Sequence, residues 1–149
     1  EHVLKSWTFS GNFAKSVSAL LRINEHMKEA EQKGQQHAKL IFVRCILDFG
    51  RTSVGNWLIY RSTVDKGGVS LERETFWLKE IPVESMRELA LGGHDIVAQL
   101  DRKPGPWLGM RIRQLLEKVA LGQLVNEREA LLAEIVRIEA ETGKEANPE

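Results

Sequence analysis

Apolar residues recur at helical spacing along almost the whole chain, and this pattern restricts the fold more than any other feature. The clearest example is a run with apolar side chains at positions i, i+3, i+4, i+7, i+8 and i+11: Ala38, Ile41, Phe42, Cys45, Ile46 and Phe49. Such a stripe covers one face of an α-helix, and Gly50 follows it as a stop signal. No segment alternates apolar and polar residues as a half-buried strand does, so we predict an all-α fold without a substantial sheet.

The same periodicity predicts a bundle of about seven or eight helices. Asn12 is available as the N-cap of the first, and Asn126 and Glu129 have capping-box spacing at the last. The predicted helices cover residues 12–32, 38–49, 53–64, 84–91 and 94–100, a short helix with Phe76 and Trp77, a helix from Pro106 to just before Gly122, and one after Asn126. Their apolar stripes include Phe13, Val17, Leu20, Leu21 and Met27 in the first helix, Leu108, Ile112, Leu115, Leu116 and Val119 after Pro106, and Leu131, Leu132, Ile135 and Ile138 in the last.

A boundary between two subdomains is expected at Ile81-Pro82-Val83. Proline disfavours helix at its own position and at the one before it. We therefore divide the chain into residues 1–80 and 81–149. Net charge is zero overall, but residues 1–75 carry 11 basic against 8 acidic side chains, and residues 76–149 carry 10 against 13. Within the acidic half, residues 101–118 hold five basic and only two acidic side chains, a local excess of positive charge.

Composition points to a soluble globular protein. The 149 residues are 42% hydrophobic and 28% charged, close to the averages for such proteins. No apolar run approaches the roughly 20 residues that span a bilayer, and residues 1–5 lack the features of a secretory signal. The single cysteine, Cys45, cannot form an internal disulfide. We expect a cytoplasmic location and no membrane partner.

Catalytic constellations are absent from the sequence. Metal-dependent nucleotidyl transfer needs carboxylates close enough to share magnesium ions, and no Asp-x-Asp pair occurs. There is no phosphate-binding glycine-rich motif, and the four histidines show no zinc-like spacing with Cys45. Cys45 lies on the most apolar helical face, where a cysteine usually packs as an inert side chain. The chain by itself is therefore not expected to be an enzyme or to hold a metal or cofactor.

The segment that joins two predicted helices near residue 105 is the candidate binding site. Pro104-Gly105-Pro106 predicts a turn, and Pro106 suits the first position of a helix. The amides after it, at the positive end of the helix dipole, could receive a phosphate. Polar and basic side chains surround this helix start, so a nucleic-acid backbone could be met by several cations at once: Arg102, Lys103, Arg111, Gln114 and Lys118.

A plainer interpretation of the same segment stays open. Arg113 and Glu117 form an i, i+4 pair that partly neutralises itself, and arginines on a helix surface often only face solvent. A tryptophan such as Trp107 more often anchors a hydrophobic core than stacks on nucleic-acid bases. Periodicity and charge alone leave a helical protein–protein interaction domain as the alternative to nucleic-acid binding.

Specific residues then favour nucleic acid. Residues 81–135 resemble the C-terminal region of bacterial class II CCA-adding enzymes, which are tRNA nucleotidyltransferases related to bacterial poly(A) polymerases. The resemblance rests on three motifs: Leu-x-x-x-Gly-x-Asp at residues 89–95, Pro-Gly-Pro-Trp-x-Gly at residues 104–109 and Val-x-x-Gly-x-x-x-Asn at residues 119–126. Residues 4–12, with Trp7 and Ser10, and the helices that follow them are more loosely similar to the body domain of the same family.

The resemblance implies a four-part enzyme with a catalytic head, a nucleotide-selecting neck, and a helical body and tail that hold tRNA. The metal-binding Asp-x-Asp of the head and the Glu-Asp-x-x-Arg template of the neck have no counterpart here. The chain is thus expected to be a body-plus-tail fragment of a parent enzyme that uses CTP, ATP and Mg²⁺ in its head. Its expected partners are the T-arm at the tRNA elbow and the parent's head and neck, but not DNA.

The motifs also suggest which residues form the site. The turn of residues 104–109 adds Gly105, Trp107 and Gly109 to the polar and basic candidates for RNA contact. The remaining motif positions are expected to shape the fold: Gly92, Asp95, Pro104, Pro106, Gly122 and Asn126. Shape and phosphate contacts suit a domain that must accept many tRNAs.

Overall fold

The computed structural model describes residues 11–64 and 71–145 of the chain. The α-helices are α1 (Gly11–Glu31), α2 (Gln35–Phe49), α3 (Arg51–Val64), α4 (Glu72–Glu80), α5 (Gly93–Leu100), α6 (Pro106–Ala120) and α7 (Arg128–Glu145), and a 3₁₀ helix spans Met86–Glu88. These two ranges contain no β-strand. The prediction of an all-α bundle with about seven or eight helices is confirmed.

The chain forms two compact units, Glu1–Ile81 and Pro82–Glu149. Their limit lies within the segment Ile81-Pro82-Val83. The roles of body-like and tail-like subdomain, which we assign to residues 1–80 and 81–149, stay predictions.

In the first unit, α1, α2 and α3 pack against one another and α4 packs against α3. Large side chains without solvent exposure form the core: Ile23, Met27, Phe42, Ile46, Val54 and Trp57. The indole Nε1 of Trp57 donates a hydrogen bond to Asn24 Oδ1 at 3.2 Å, which satisfies its polar atom. The rings of Phe42 and Trp77, 5.6 Å apart and tilted by 58°, fix α4 to this core.

Arg51 gives α4 a polar attachment as well. Its guanidinium donates hydrogen bonds to the carbonyl of Leu78 and, at 2.8 Å, to that of Ile81. The last carbonyls of a helix have no partner within it, and the helix dipole makes this end negative. Arg51 therefore gives these carbonyls hydrogen-bond partners and places a positive charge at the negative end of the α4 dipole.

Two predictions for the first helix are wrong. Phe13 and Leu21, expected in the buried stripe, are 45% and 53% exposed, whereas Ala14, Ile23 and Ala30 are buried. Large apolar residues occur on more than one side of α1, so the packing of α2 and α3 selects the buried face. Asn12 is not the N-cap, because it lies inside the first turn of α1, where its carbonyl accepts a bond from Ser16.

The second unit packs α5 on α6 and α7, and α6 on α7. Ile96, Leu115, Leu131 and Ile135 have no solvent exposure and form its centre. The predicted stripes of α6 and α7 are confirmed, although Leu108, Ile112 and Leu132 are only half-buried. A Cβ on Gly93 would lie 3.2 Å from Leu108 Cδ2, so this glycine lets the start of α5 approach α6 closely.

The helix predicted over residues 84–91 is wrong: only the single 3₁₀ turn Met86–Glu88 forms there. The Glu88 carboxylate accepts hydrogen bonds from the amides of Glu84 at 2.6 Å and Ser85 at 2.9 Å, which stabilises this one turn. Beyond it, Leu89 adopts an extended conformation, and Leu89 and Leu91 are both buried. Residues two apart share one face of extended chain but not of a helix, so burial of both leucines ends the turn.

Candidate nucleic-acid interface

The candidate site is built on the proline turn (residues 101–105), which joins α5 to α6. Asp101 closes α5 in a left-handed conformation with φ 47°, and its amide bonds to the carbonyl of Val97. Gly105 is the N-cap of α6, and Pro106 occupies the first helical position as predicted. The amide of Leu108 donates to the Gly105 carbonyl at 3.0 Å, so it is not available to a phosphate.

Trp107 holds the proline turn in place. Its indole Nε1 donates a hydrogen bond to the Lys103 carbonyl at 2.8 Å. A Cβ on Gly105 would lie 3.2 Å from Trp107 Cδ1, so the backbone passes close to the ring edge. The guanidinium carbon of Arg102 lies 4.5 Å from the centre of the ring, which is cation–π geometry. Trp107 thus supports the turn on one side and an arginine on its face.

The guanidinium of Arg111 donates hydrogen bonds from all three of its nitrogens within the second unit. Its Nε donates to Glu139 Oε1 at 2.5 Å, its Nη1 to Gln114 Oε1 at 3.0 Å and its Nη2 to Thr142 Oγ1 at 3.3 Å. The Arg111 side chain is only 11% exposed. It therefore ties α6 to α7 and uses Gln114, another predicted contact residue, as one of its partners.

Lys118 makes a second tie between the same helices. Its Nζ forms an ion pair with Glu134, which also receives Arg137 Nη2 at 2.6 Å. The hydrogen bond from Arg137, together with that from Lys118, lowers the pKa of Glu134 to about 2 despite burial. Two of the predicted RNA-binding cations, Arg111 and Lys118, are therefore paired with carboxylates of α7.

Asp95 and Gly92 shape the start of α5. Asp95 Oδ2 accepts the Gly92 amide at 2.9 Å, and its Oδ1 accepts Arg128 Nη1 at 2.5 Å. These bonds, the one from the Gly92 amide first, hold the pKa of Asp95 below its usual range. Through Arg128 the same carboxylate connects the starts of α5 and α7.

Asn126 does not cap α7 as predicted, because the helix begins at Arg128. Its side chain instead spans the unit: Oδ1 accepts the Ala90 amide at 2.8 Å, and Nδ2 donates to the Glu88 carbonyl at 2.7 Å. A primary amide has both a donor and an acceptor, so Asn126 bonds to the backbone groups on both sides of the extended Leu89.

The other predicted residues lie at or near the turn. Pro104 and Lys103 are exposed within it, Gly109 is exposed on α6 with open space around its Cα, and Gly122 ends α6 with φ 74°. A positive φ is a conformation that favours glycine. The structure thus brings together Arg102, Lys103, Gly105 and Trp107 at the turn, with Arg111 one helical turn beyond, whereas Lys118 lies toward the far end of α6.

Sequence reasoning missed the α7 carboxylates that bind these cations, Glu134 and Glu139, and the hydroxyl of Thr142. An acidic stripe on the last helix, opposite a basic stripe on the preceding one, was the available signal. Thr142 lies inside α7, which continues to Glu145, and its hydroxyl donates to the Ile138 carbonyl.

Three further properties concern the described residues: metal ligation, thiol reactivity and helix length relative to a membrane. In residues 11–64 and 71–143, no group of three or more His, Cys, Asp or Glu side chains is arranged to hold a metal ion. Cys45 is buried, and burial raises the pKa of its thiol to about 12. Of the helices that the structure describes, none has the length and apolar character needed to cross a membrane.

Comparison with known proteins identifies the family. Residues 1–135 match the family model of tRNA nucleotidyltransferase domain 2. The chain is 23% identical over 129 residues to the CCA-adding enzyme of Bacillus cereus (strain 03BB102), and 24% identical over 127 residues to that of Bacillus mycoides (strain KBAB4). The alignments cover 86% and 85% of this chain and 30% of each relative, so the chain spans about a third of their length. No solved structure gives a significant match.

The family match includes the three motifs and the proline turn, and it reaches through the first unit as well. The chain therefore belongs to the tRNA nucleotidyltransferase domain 2 family, which confirms the relationship to CCA-adding enzymes that the motifs of residues 81–135 predicted.

Proposed function

We propose that this chain is the tRNA-anchoring part of a CCA-adding tRNA nucleotidyltransferase. It holds the elbow side of tRNA, through the T-arm, by shape and phosphate contacts. The 3′ end then reaches a catalytic head that uses CTP and ATP. The observation that carries this proposal is the family match over residues 1–135, which includes the proline turn.

The geometry of the turn supports the proposal. Arg102 and Lys103 are exposed beside the start of a 15-residue helix, whose dipole adds positive potential. Trp107 and Gly105 keep the turn in one conformation. A preformed basic surface binds phosphates at a lower entropic cost than a flexible one, and it suits recognition that does not depend on base sequence.

Catalysis is assigned to other parts of the parent protein. The Mg²⁺ that nucleotidyl transfer requires needs clustered carboxylate ligands, and the described residues do not offer such a cluster. We propose that the head binds the metal, that head and neck are the protein partners of this chain, and that the whole enzyme works in the cytoplasm.

A salt titration of tRNA binding tests the proposal. The chain is mixed with an unmodified tRNA transcript, an isolated T-arm minihelix, or double-stranded DNA of equal length, and affinity is measured from 50 to 200 mM salt. With about three to five phosphate contacts, affinity for tRNA should fall by roughly 40- to 500-fold across this range. A dissociation constant of about 10⁻⁶ to 10⁻⁴ M is expected for a chain of zero net charge.

Preference for tRNA and the minihelix over DNA supports anchoring at the elbow. Equal binding to all three nucleic acids, or no binding at 50 mM salt, contradicts the proposal. No binding would favour the alternative of a helical protein–protein interaction domain, whereas equal binding would show attraction to phosphates without recognition of the tRNA elbow.

A further inference from the structure

We infer that Arg102 is the cation of the candidate site that contacts a tRNA phosphate, and that Trp107 and Glu139 are positioning residues that hold its guanidinium. The inference rests on the proposed function, and it divides the predicted contact residues into two groups. Arg102 faces the ligand, whereas Arg111 and Lys118 hold the second unit together.

Arg102 is both held and accessible. Its guanidinium lies over the Trp107 ring, with 4.5 Å between Cζ and the ring centre. Its Nη1 lies 3.6 Å from Glu139 Oε2, and its side chain is 49% exposed. The structure shows no other acceptor for this guanidinium among the described residues, so several of its N–H groups can bind a phosphate without breaking a hydrogen bond.

The support beneath Arg102 is itself fixed to the turn. The bond from Trp107 Nε1 to the Lys103 carbonyl ties the indole to the residue that follows Arg102 in sequence. The Arg102 amide donates to the Val97 carbonyl at 3.4 Å, at the end of α5. Backbone and side chain of Arg102 are therefore both constrained before a ligand arrives, and an arginine that is ordered in advance loses less entropy on binding.

Glu139 links the two groups. Its Oε1 accepts Arg111 Nε at 2.5 Å, while its Oε2 faces Arg102 at 3.6 Å. The close bond belongs to Arg111, so Arg111 orients the carboxylate and the carboxylate orients Arg102. A phosphate that approaches Arg102 meets a guanidinium that Glu139 only partly satisfies.

Arg111 and Lys118 lack this accessibility. All three guanidinium nitrogens of Arg111 are hydrogen-bonded, and its side chain is 11% exposed. The Lys118 side chain is 29% exposed, less than that of Arg102, and it is paired with Glu134, whose side chain is 13% exposed. A phosphate that bound either cation would have to displace a largely buried carboxylate from it. Glu134 would then keep Arg137, and Glu139 would keep the more distant Arg102.

Binding measurements on four variants of the whole chain test this division. Arg102→Gln should weaken tRNA binding about tenfold and lower the magnitude of the salt slope by about 1. Trp107→Leu should weaken binding by a similar factor, and the double variant should lose no more than either single one, because both changes remove the same contact. Arg113→Gln removes the same charge from α6, away from the proline turn, and should leave affinity unchanged.

Circular dichroism checks that each variant folds, and Trp107→Phe replaces Trp107→Leu if the latter does not. Because phenylalanine keeps an aromatic face under Arg102, this variant should retain most of the affinity, and it should still lose binding when combined with Arg102→Gln.

Three results would overturn the inference. If the unmodified chain binds tRNA and Arg102→Gln binds equally well with the same slope, Arg102 makes no phosphate contact and only this inference fails. If the losses from Arg102→Gln and Trp107→Leu add, Trp107 contacts RNA by itself and is not a positioning residue. If the unmodified chain shows no preference for tRNA, the proposed function fails and the role of Arg102 fails with it.

Discussion

Replacing Asn126 tests whether its amide joins distant backbone segments, as the structure shows, or caps α7, as its sequence context suggests. Asn126→Ala removes two hydrogen bonds, those with the Ala90 amide and the Glu88 carbonyl. A typical hydrogen bond contributes about 1 kcal/mol to stability. Water can replace part of this at a half-exposed site, so we expect a loss of about 1–2 kcal/mol in the free energy of unfolding.

The second variant, Asn126→Ser, separates the two roles. Serine and asparagine are nearly equal as N-caps, so a capping role predicts almost no change in stability. A serine hydroxyl is too short to span both backbone groups, so the bridging role predicts a loss close to that of alanine. Gln123→Ala, at an exposed position of the same loop, is the matched control and should have no effect.

Urea unfolding measures the overall stability, and hydrogen exchange at the Ala90 amide measures the bridge directly. In the unmodified protein this amide donates to Asn126 Oδ1, and both Asn126 variants should expose it to faster exchange. Full stability of Asn126→Ser, together with unchanged exchange at Ala90, would refute the bridging role.

Two further predictions follow from the pKa values. The pKa of Glu134, held at about 2 by Arg137 and Lys118, lies below the unfolded value of about 4.3. Its stabilisation, about 2 kcal/mol after allowance for partial exposure, is therefore present at neutral pH and lost as pH falls from about 4.5 to 2. The stability difference between the unmodified chain and Glu134→Gln in urea unfolding should shrink between pH 7 and pH 2.5; a constant difference would contradict the pairing. Burial raises the pKa of Cys45 to about 12, so at pH 8 its thiolate is about a thousandfold scarcer than in an unfolded chain. A thiol reagent should label Cys45 only after guanidinium is added, and rapid labelling of the folded chain would show that the thiol is accessible.

The sequence located the proline turn and its basic surroundings but could not rank the cations. Arg102, Arg111 and Lys118 are equivalent by composition and spacing, since each is a positive charge near one helix. Their difference arises from α7, whose Glu134 and Glu139 bind two of them closely. The partner of a charge on another helix depends on how the helices cross, and no local pattern in the sequence records that crossing.

By itself, the sequence determined the all-α class, the C-terminal end of α2, the limits of α5 and α6, and the motif set that identifies the family. Helical periodicity, glycine stops and Pro106 at the first helical position act within a few residues, so they can be read locally. Tertiary structure decided which face of α1 is buried, why residues 84–91 form one 3₁₀ turn rather than a helix, and what Asn126 binds. Each of these depends on tertiary packing: α2 and α3 select the face of α1, burial within the second unit fixes Leu89 and Leu91, and residue 126 approaches residues 88 and 90.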